Sequence, residues 1–158
     1  MTDSRSKGKR AELEAASVMT QVLGVQFHRT QQFNGKGTGD IEPVGGCHAL
    51  HFEVKHYRAG LTWWTKRAAQ DPLHIANGLV YCEAFALPRV LKGGIVARSS
   101  VSCGFAERWM AQAERDAKVG AMPVVVCRQD RSPWLMVWRE QDDDLLMPVF
   151  QRMSPCAG

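Results

Sequence analysis

The sequence has no apolar stretch that approaches the roughly 20 residues a membrane-spanning helix needs. Its N-terminus is polar and basic, with no apolar segment after it, which argues against a signal peptide. The five cysteines are an odd number, and they form neither a CxxC pair nor the spacing of a disulfide framework. We therefore expect a protein of the reducing cytoplasm, in a prokaryotic cell or a phage-infected host.

Charge of one sign is not in large excess. The chain has 20 Lys and Arg residues against 16 Asp and Glu, a net charge of +4, which permits a nucleic-acid partner without requiring one. Residues 5–10 (RSKGKR) form a basic cluster, and residues 142–144 (DDD) form an acidic one that we interpret as solvated surface. The length of 158 residues suits one compact domain.

The hydrophobic pattern predicts the order helix, three strands, helix, two strands. Helices are predicted over residues 11–23 and 105–117, and strands over residues 25–30, 40–44, 49–55, 122–127 and 134–139. The polar, glycine-rich composition of residues 31–39 predicts a loop, and residues 153–158 are expected to be frayed. This order is typical of an α/β domain with a mixed central sheet of about five strands flanked by helices. Residues 57–104 are broken by prolines and paired glycines, and we interpret them as an insertion.

The strand predicted over residues 49–55 alternates between apolar and polar residues, so its two faces differ. Its core face consists of Leu50, Phe52 and Val54. Its other face carries His51, Glu53 and Lys55, of which we interpret His51 as a solvated strand histidine. A glycine turn joins this strand to the preceding one, which predicts a hairpin.

Two carboxylates can converge on this hairpin, because Asp40 begins one strand and Glu53 lies on its partner. Hydrolysis of a phosphodiester needs a metal that activates water and neutralises charge on the phosphate. Mg²⁺ prefers hard oxygen ligands and takes only one or two carboxylates. Lys55 can orient the attacking water or stabilise the developing negative charge. Without a metal the carboxylates repel each other, which should raise the pKa of both, and Lys55 opposes that rise.

The set of Asp40, Glu53 and Lys55 resembles the PD-(D/E)XK nuclease superfamily, in which an acidic residue precedes a strand bearing E-x-K. Gly39 stands in place of the usual proline. The resemblance implies a restriction-endonuclease-like core and a DNA endonuclease that uses Mg²⁺, with Mn²⁺ as a substitute. The alternative is a surface hairpin with an ordinary Glu/Lys pair.

The flanking segments resemble the archaeal- and phage-type Holliday-junction resolvases of that superfamily. Residues 7–14 (KGKRAELE) are similar to the K-G-x-x-A-E-x-E opening, and residues 25–29 (VQFHR) to a first strand that ends in a functional arginine. Residues 112–117 and 123–126, followed by Trp134, resemble the late helix and closing strands of phage members. About two-thirds of the chain is covered, and residues 57–104 are not.

The resemblance implies a role for each matched residue. The metal ligands would be Asp40, Glu53 and the Val54 carbonyl, with Glu12 assisting and Lys55 positioning the water. The DNA backbone would be contacted by Lys7, Lys9, Arg10 and Arg29. Gln112 would support the site, with Gln70 as its rival. The implied enzyme is a homodimer in DNA recombination that makes paired symmetric nicks in four-way junctions and leaves 5′-phosphate and 3′-hydroxyl ends.

The chain departs from the resolvase pattern at two positions. Leu13 stands where the family often has arginine, for which Arg10 is a candidate substitute, and the loop serine after the first strand is absent, leaving Thr30 or Thr38. Two other functions therefore stay open. One is a restriction-like or repair endonuclease of the same superfamily that cuts linear duplex, and the other is a non-catalytic DNA-binding protein with a decayed nuclease core. For a dimer, the candidate contact residues are 79–87, 123–127, Trp134 and Trp138.

Overall fold

The computed structural model describes residues 4–30, 39–45, 49–57, 73–93, 97–98 and 104–154. In these ranges the α-helices are α1 (Ser4–Leu23), α2 (Leu87–Leu91), α3 (Gly104–Asp116) and α4 (Asp143–Met153). The strands are β1 (Phe27–Arg29), β2 (Ile41–Pro43), β3 (Leu50–Tyr57), β4 (Leu73–Ala76), β5 (Leu79–Glu83), β6 (Ala97–Arg98), β7 (Met122–Gln129) and β8 (Leu135–Arg139). Short 3₁₀ turns precede α2 (Ala84–Ala86) and α4 (Glu140–Asp142). None of the described helices combines the length and the apolar character that crossing a membrane requires.

All eight described strands belong to one mixed sheet, in the order β1-β2-β3-β7-β8-β5-β4-β6. β3 runs parallel to β7, and β4 runs parallel to β6, whereas the other neighbours are antiparallel. The predicted α/β class with a mixed sheet and flanking helices is confirmed, but the count of about five strands is wrong. The extra strands β4, β5 and β6 come from the segment interpreted as an insertion, and β5 joins the sheet because its apolar run is buried against β8.

Helices cover both faces of the sheet. α1, α2 and α4 contribute buried side chains to the core on one face, together with Phe52 and Val126. α3 packs on the other face through Trp109 and Met110, against Val125 and Val137. β3 lies between β2 and β7, and helices cover both faces of the sheet, so residues 50–54 are buried whichever face they occupy.

Both ends of the described chain are more helical than the pattern predicts. α1 begins at Ser4 rather than at Ala11, so the basic cluster lies within its first turns. The acidic cluster was interpreted as solvated surface, but it forms the start of α4, where Asp143 Oδ1 accepts a hydrogen bond of 2.8 Å from Trp138 Nε1. Carboxylates in a first helical turn interact favourably with the helix dipole. Residues 31–38 of the predicted loop and residues 155–158 of the predicted frayed end lie outside the described residues.

The entry into β2 brings two backbone segments unusually close. The Asp40 N–H donates to the Phe52 carbonyl at 2.7 Å, and the Thr30 N–H donates to the Asp40 carbonyl at 3.0 Å. A Cβ on Gly39 would lie 2.8 Å from the Phe52 nitrogen and closer still to the Phe52 carbonyl oxygen. Only glycine fits at this position without moving β3.

Replacing Gly39 with alanine should lower the free energy of unfolding by about 1–3 kcal/mol, because the added methyl overlaps the backbone of β3. Gly8→Ala is the matched control, since Gly8 lies in α1 and a methyl group added there would have no neighbouring atom within 4 Å. Alanine at this helical position should raise stability by about 0.5–1 kcal/mol. Urea denaturation followed by circular dichroism measures both. A Gly39→Ala protein as stable as wild type would contradict the close approach.

Candidate active site

The candidate active site lies where β2 separates from β3. The Phe52 carbonyl is bonded to the backbone of Asp40, but two residues later the Val54 N–H donates to the side-chain Oδ2 of Asp40 at 2.8 Å. The N–H and C=O of one strand residue point to the same edge of that strand. The Val54 carbonyl is therefore directed to the edge on which the Asp40 carboxylate lies.

Two side chains from different elements hold the Glu53 carboxylate. Lys55 Nζ lies 2.6 Å from Glu53 Oε1, and Gln112 Nε2 of α3 donates to the same oxygen at 3.0 Å. Lys55 shares a face of β3 with Glu53, as the alternation predicts, and Gln112 reaches them from the helix that covers this face. The rival residue, Gln70, lies outside the described residues.

His51 is a third neighbour of Glu53, with its Nε2 3.7 Å from Glu53 Oε2. The residue is only 3% exposed, so its interpretation as a solvated histidine is wrong. The reason is the position of β3 inside the sheet, under α3. Neither ring nitrogen of His51 has a hydrogen-bond partner among the described residues.

The two carboxylates differ in acidity. Burial and the negative charge of Glu53 raise the pKa of Asp40 to about 6, against the lowering effect of the Val54 N–H. Burial alone would raise the pKa of Glu53 as well, but His51 and Lys55 outweigh it and lower that pKa. The expected rise is thus confirmed for Asp40 and wrong for Glu53, because Glu53 has the cationic and polar neighbours.

Glu12 and Arg29 form an ion pair beside the site, Arg29 Nε donating to Glu12 Oε2. Glu12 reaches the site from α1, on the opposite face of the sheet from Gln112, and its charge contributes to the raised pKa of Asp40. Both side chains are mostly buried. Arg29 therefore holds the carboxylate that the resemblance assigns to metal assistance, and Glu12 in turn fixes the guanidinium at the site.

Thr30, one of two candidates for the missing loop serine, does not reach the carboxylates. It is buried, and its hydroxyl donates to the Gly39 carbonyl, so it stabilises the turn into β2. The other candidate, Thr38, lies outside the described residues.

A cleft of about 690 Å³ opens beside Glu12 and Val54. Lys7 and Arg10 line it from the first turns of α1, whereas Lys9 is exposed and does not line it. Arg128 also lines this cleft, although it was not among the residues predicted from the sequence. A signal for it is present, since Arg128 directly follows the apolar run of β7, but its relevance depends on β7 pairing in parallel with β3, which sets Arg128 opposite His56.

The donor set at the site fits Mg²⁺. Among the described residues no group of three or more His, Cys, Asp and Glu side chains is placed to hold a metal ion. Mg²⁺ does not need such a group, because it keeps several waters and uses one or two carboxylates. Asp40 and Glu53 supply two carboxylates whose mutual repulsion a divalent cation would relieve, and the Val54 carbonyl points to the same edge.

Comparisons with family models, with curated proteins and with solved structures found no match for this chain. The functional argument therefore rests on the site itself.

In metal-free protein, Asp40→Asn should raise the free energy of unfolding at pH 8 and leave it nearly unchanged at pH 4. Folding raises the pKa of Asp40 from 3.8 to about 6, so the folded state binds this proton more tightly than the unfolded chain does. Stability then falls as the pH rises through this window, the reverse of the usual carboxylate, and the loss amounts to about 1–3 kcal/mol above it. Asparagine keeps an oxygen for the Val54 N–H but carries no charge.

Urea unfolding in EDTA at the two pH values measures this difference. A less stable Asp40→Asn protein at pH 8 would show that the Asp40 charge is not opposed by its surroundings.

Proposed function

We propose that this protein is a magnesium-dependent DNA endonuclease with a restriction-endonuclease-like core. The observation that carries the proposal is the convergence of Asp40, Glu53 and Lys55 at the point where β2 and β3 separate. A surface hairpin with an ordinary Glu/Lys pair would leave these groups solvated. Here Glu53 is buried, contacts Gln112 of a distant helix, and shifts the pKa of Asp40.

Each residue has a defined task in the proposed reaction. Bound Mg²⁺ would supply activation of the attacking water and neutralisation of charge on the phosphate. Asp40, Glu53 and the Val54 carbonyl would hold the ion, and the Gln112 amide fixes the Glu53 carboxylate in one orientation. Lys55 Nζ, close to Glu53 Oε1, orients the water for in-line attack and stabilises the negative charge that develops on the phosphate. Arg29, held by Glu12, lies beside them to contact a phosphate oxygen.

Branched DNA is the proposed substrate, on the resemblance of residues 7–14 and 25–29 to junction resolvases. The chain carries one Asp40/Glu53/Lys55 set, so two symmetric nicks require two chains, and a two-fold dimer matches the two-fold symmetry of a four-way junction. Most of the apolar residues named as dimer contacts are not available, because Trp134, Trp138, Leu79 and residues 124–127 are buried in the core. Phe85, within the named range 79–87, is exposed, and a dimer can use it together with the exposed apolar side chains Leu13 and Leu145.

Lys55→Gln and Asp40→Asn should each slow nicking of supercoiled or branched DNA by about 10²–10³, the cost of losing a group that stabilises the transition state. Lys118→Gln is the matched control, since Lys118 is exposed near the start of β7, at the end of the strand opposite to Lys55. DNA binding in EDTA should stay within about threefold of wild type, because most phosphate contacts lie elsewhere. Wild-type turnover by either active-site variant would overturn the proposed site.

The protein should sediment as a dimer and bind a four-way junction at least about tenfold more tightly than a duplex of equal length, about 1.4 kcal/mol. With Mg²⁺ it should introduce paired nicks in opposing strands, and EDTA should abolish them. A monomer at micromolar concentration, or equal affinity for the two DNAs, would overturn the resolvase assignment. Nicking of the linear duplex would then favour an endonuclease of the restriction or repair type.

A further inference from the structure

We infer that the cleft beside the active site binds a single, unpaired DNA strand, with a base stacked on Tyr57 and phosphates held by Lys7 and Arg10. The inference rests on the proposed function and adds that the branched substrate presents unpaired nucleotides next to the cut. Three observations support it: the size of the cleft, the charges of its lining residues, and the packing of Tyr57 against neighbouring rings.

The cleft is continuous with the active site. Glu12 and Val54 line it at one end, and both belong to the site already described. From there it follows the last residues of β3 to Tyr57, and it reaches Arg128 near the end of β7 and Asp130 just after that strand. Its volume of about 690 Å³ lies in the range of roughly 300–1,000 Å³ found for sites that enclose one small ligand. A cleft of this size accommodates a nucleotide or two of one strand.

Two basic side chains of the cleft are not engaged by its carboxylates and can bind an anionic ligand. Each carboxylate in its lining faces a basic side chain: Glu12 is paired with Arg29, Glu14 with Arg128, and Asp130 with His56 at 2.9 Å. Lys7 and Arg10 have no acidic partner among the described residues. They lie three residues apart on α1, so their side chains emerge from the same face of the helix and can contact neighbouring phosphates of one strand.

Tyr57 offers a fixed aromatic surface at the same cleft. It lies two residues after Lys55 on β3, so both side chains project from the face of the strand that α3 covers, opposite to α1, and the cleft reaches Tyr57 where β3 ends. Its ring packs against Trp109, with centroids 5.0 Å apart, and against Phe105 at 5.6 Å, while 40% of the residue remains exposed. An aromatic ring held by its neighbours and open on one side is the arrangement on which unpaired bases stack. A paired base inside a duplex has no free face for it.

Binding of an oligothymidylate of about 12 nucleotides tests the inference, measured by fluorescence anisotropy in EDTA with full-length protein. Tyr57→Leu should weaken this binding at least about fivefold, whereas Tyr57→Phe, which keeps the ring, should stay within about twofold of wild type. Binding of a blunt duplex of equal length should be the same for all three proteins. Unchanged single-strand affinity in Tyr57→Leu, or an equal loss on the duplex, would overturn the inference.

A second measurement needs no change at Tyr57, which packs in a cluster of rings. An oligonucleotide with one 2-aminopurine should lose fluorescence on binding wild-type protein, because stacking quenches this base. No quenching at any position along the strand would also overturn the inference.

The phosphate contacts are tested by salt dependence. The double change Lys7→Gln and Arg10→Gln should reduce the slope of log K against log salt by about 1.4 for the single strand, from two contacts of about 0.7 each. The matched control is Arg115→Gln with Lys118→Gln, an exposed pair with the same spacing near the end of α3, which should leave the slope unchanged. Equal slopes for both double variants would remove Lys7 and Arg10 from the site.

These outcomes are separable from those of the proposed function. Nicking with Mg²⁺ by wild-type protein is scored independently of binding in EDTA. If the protein does not nick DNA but Tyr57→Leu weakens single-strand binding, the proposed nuclease activity is refuted. If the protein nicks DNA but Tyr57→Leu does not change single-strand affinity, only the proposed single-strand site is refuted.

Discussion

The hydrogen bond from the Val54 N–H to the Asp40 carboxylate connects the fold of this protein to its candidate chemistry. A strand inside a sheet must find an acceptor for every N–H that points to a neighbour, since an unpaired buried donor is costly. The backbone of Asp40 bonds to β3 at the Phe52 carbonyl, and two residues later it is the Asp40 side chain that supplies the acceptor for the Val54 N–H. That replacement requires the backbone at Gly39 to touch β3. The carboxylate is thus held at the open end of a strand pair by the same requirement that builds the sheet.

The surroundings stabilise the negative charge of Glu53 more than that of Asp40. Glu53 has Lys55, Gln112 and His51 around it, so its negative charge is stabilised although it is buried. Asp40 accepts the Val54 N–H but lies near Glu12 as well as Glu53, so its charge is not compensated to the same degree. The protein therefore keeps a charge deficit at one defined position. The proposed Mg²⁺ would bind at this position, because it prefers carboxylate oxygens as ligands.

The local part of this site was predictable from the sequence, and the long-range part was not. Alternation along β3 sets Glu53 and Lys55 on one face, and the short turn brings Asp40 to the same hairpin, because both depend on neighbouring residues. The pairing of β3 with β7 has no local signal, which is why Arg128 was missed and His51 was interpreted as solvated. β5 joins the sheet although glycines and prolines surround it, since tertiary burial overrides such breakers. α4 was missed because an acidic run opens it and Pro148 lies inside it.

The parallel pairing of β3 with β7 also determines the order in which the site can assemble during folding. Ile41 pairs with Phe52, 11 residues later, whereas Leu50 pairs with Met122, 72 residues later. Closing a long loop costs more chain entropy than closing a short one, and contacts between distant residues slow folding. The hairpin that carries the carboxylates can therefore form early, while Gln112 and Arg128 arrive only when the crossover closes. The carboxylates of the site depend on a contact close in sequence, and the groups that orient them depend on contacts between distant residues.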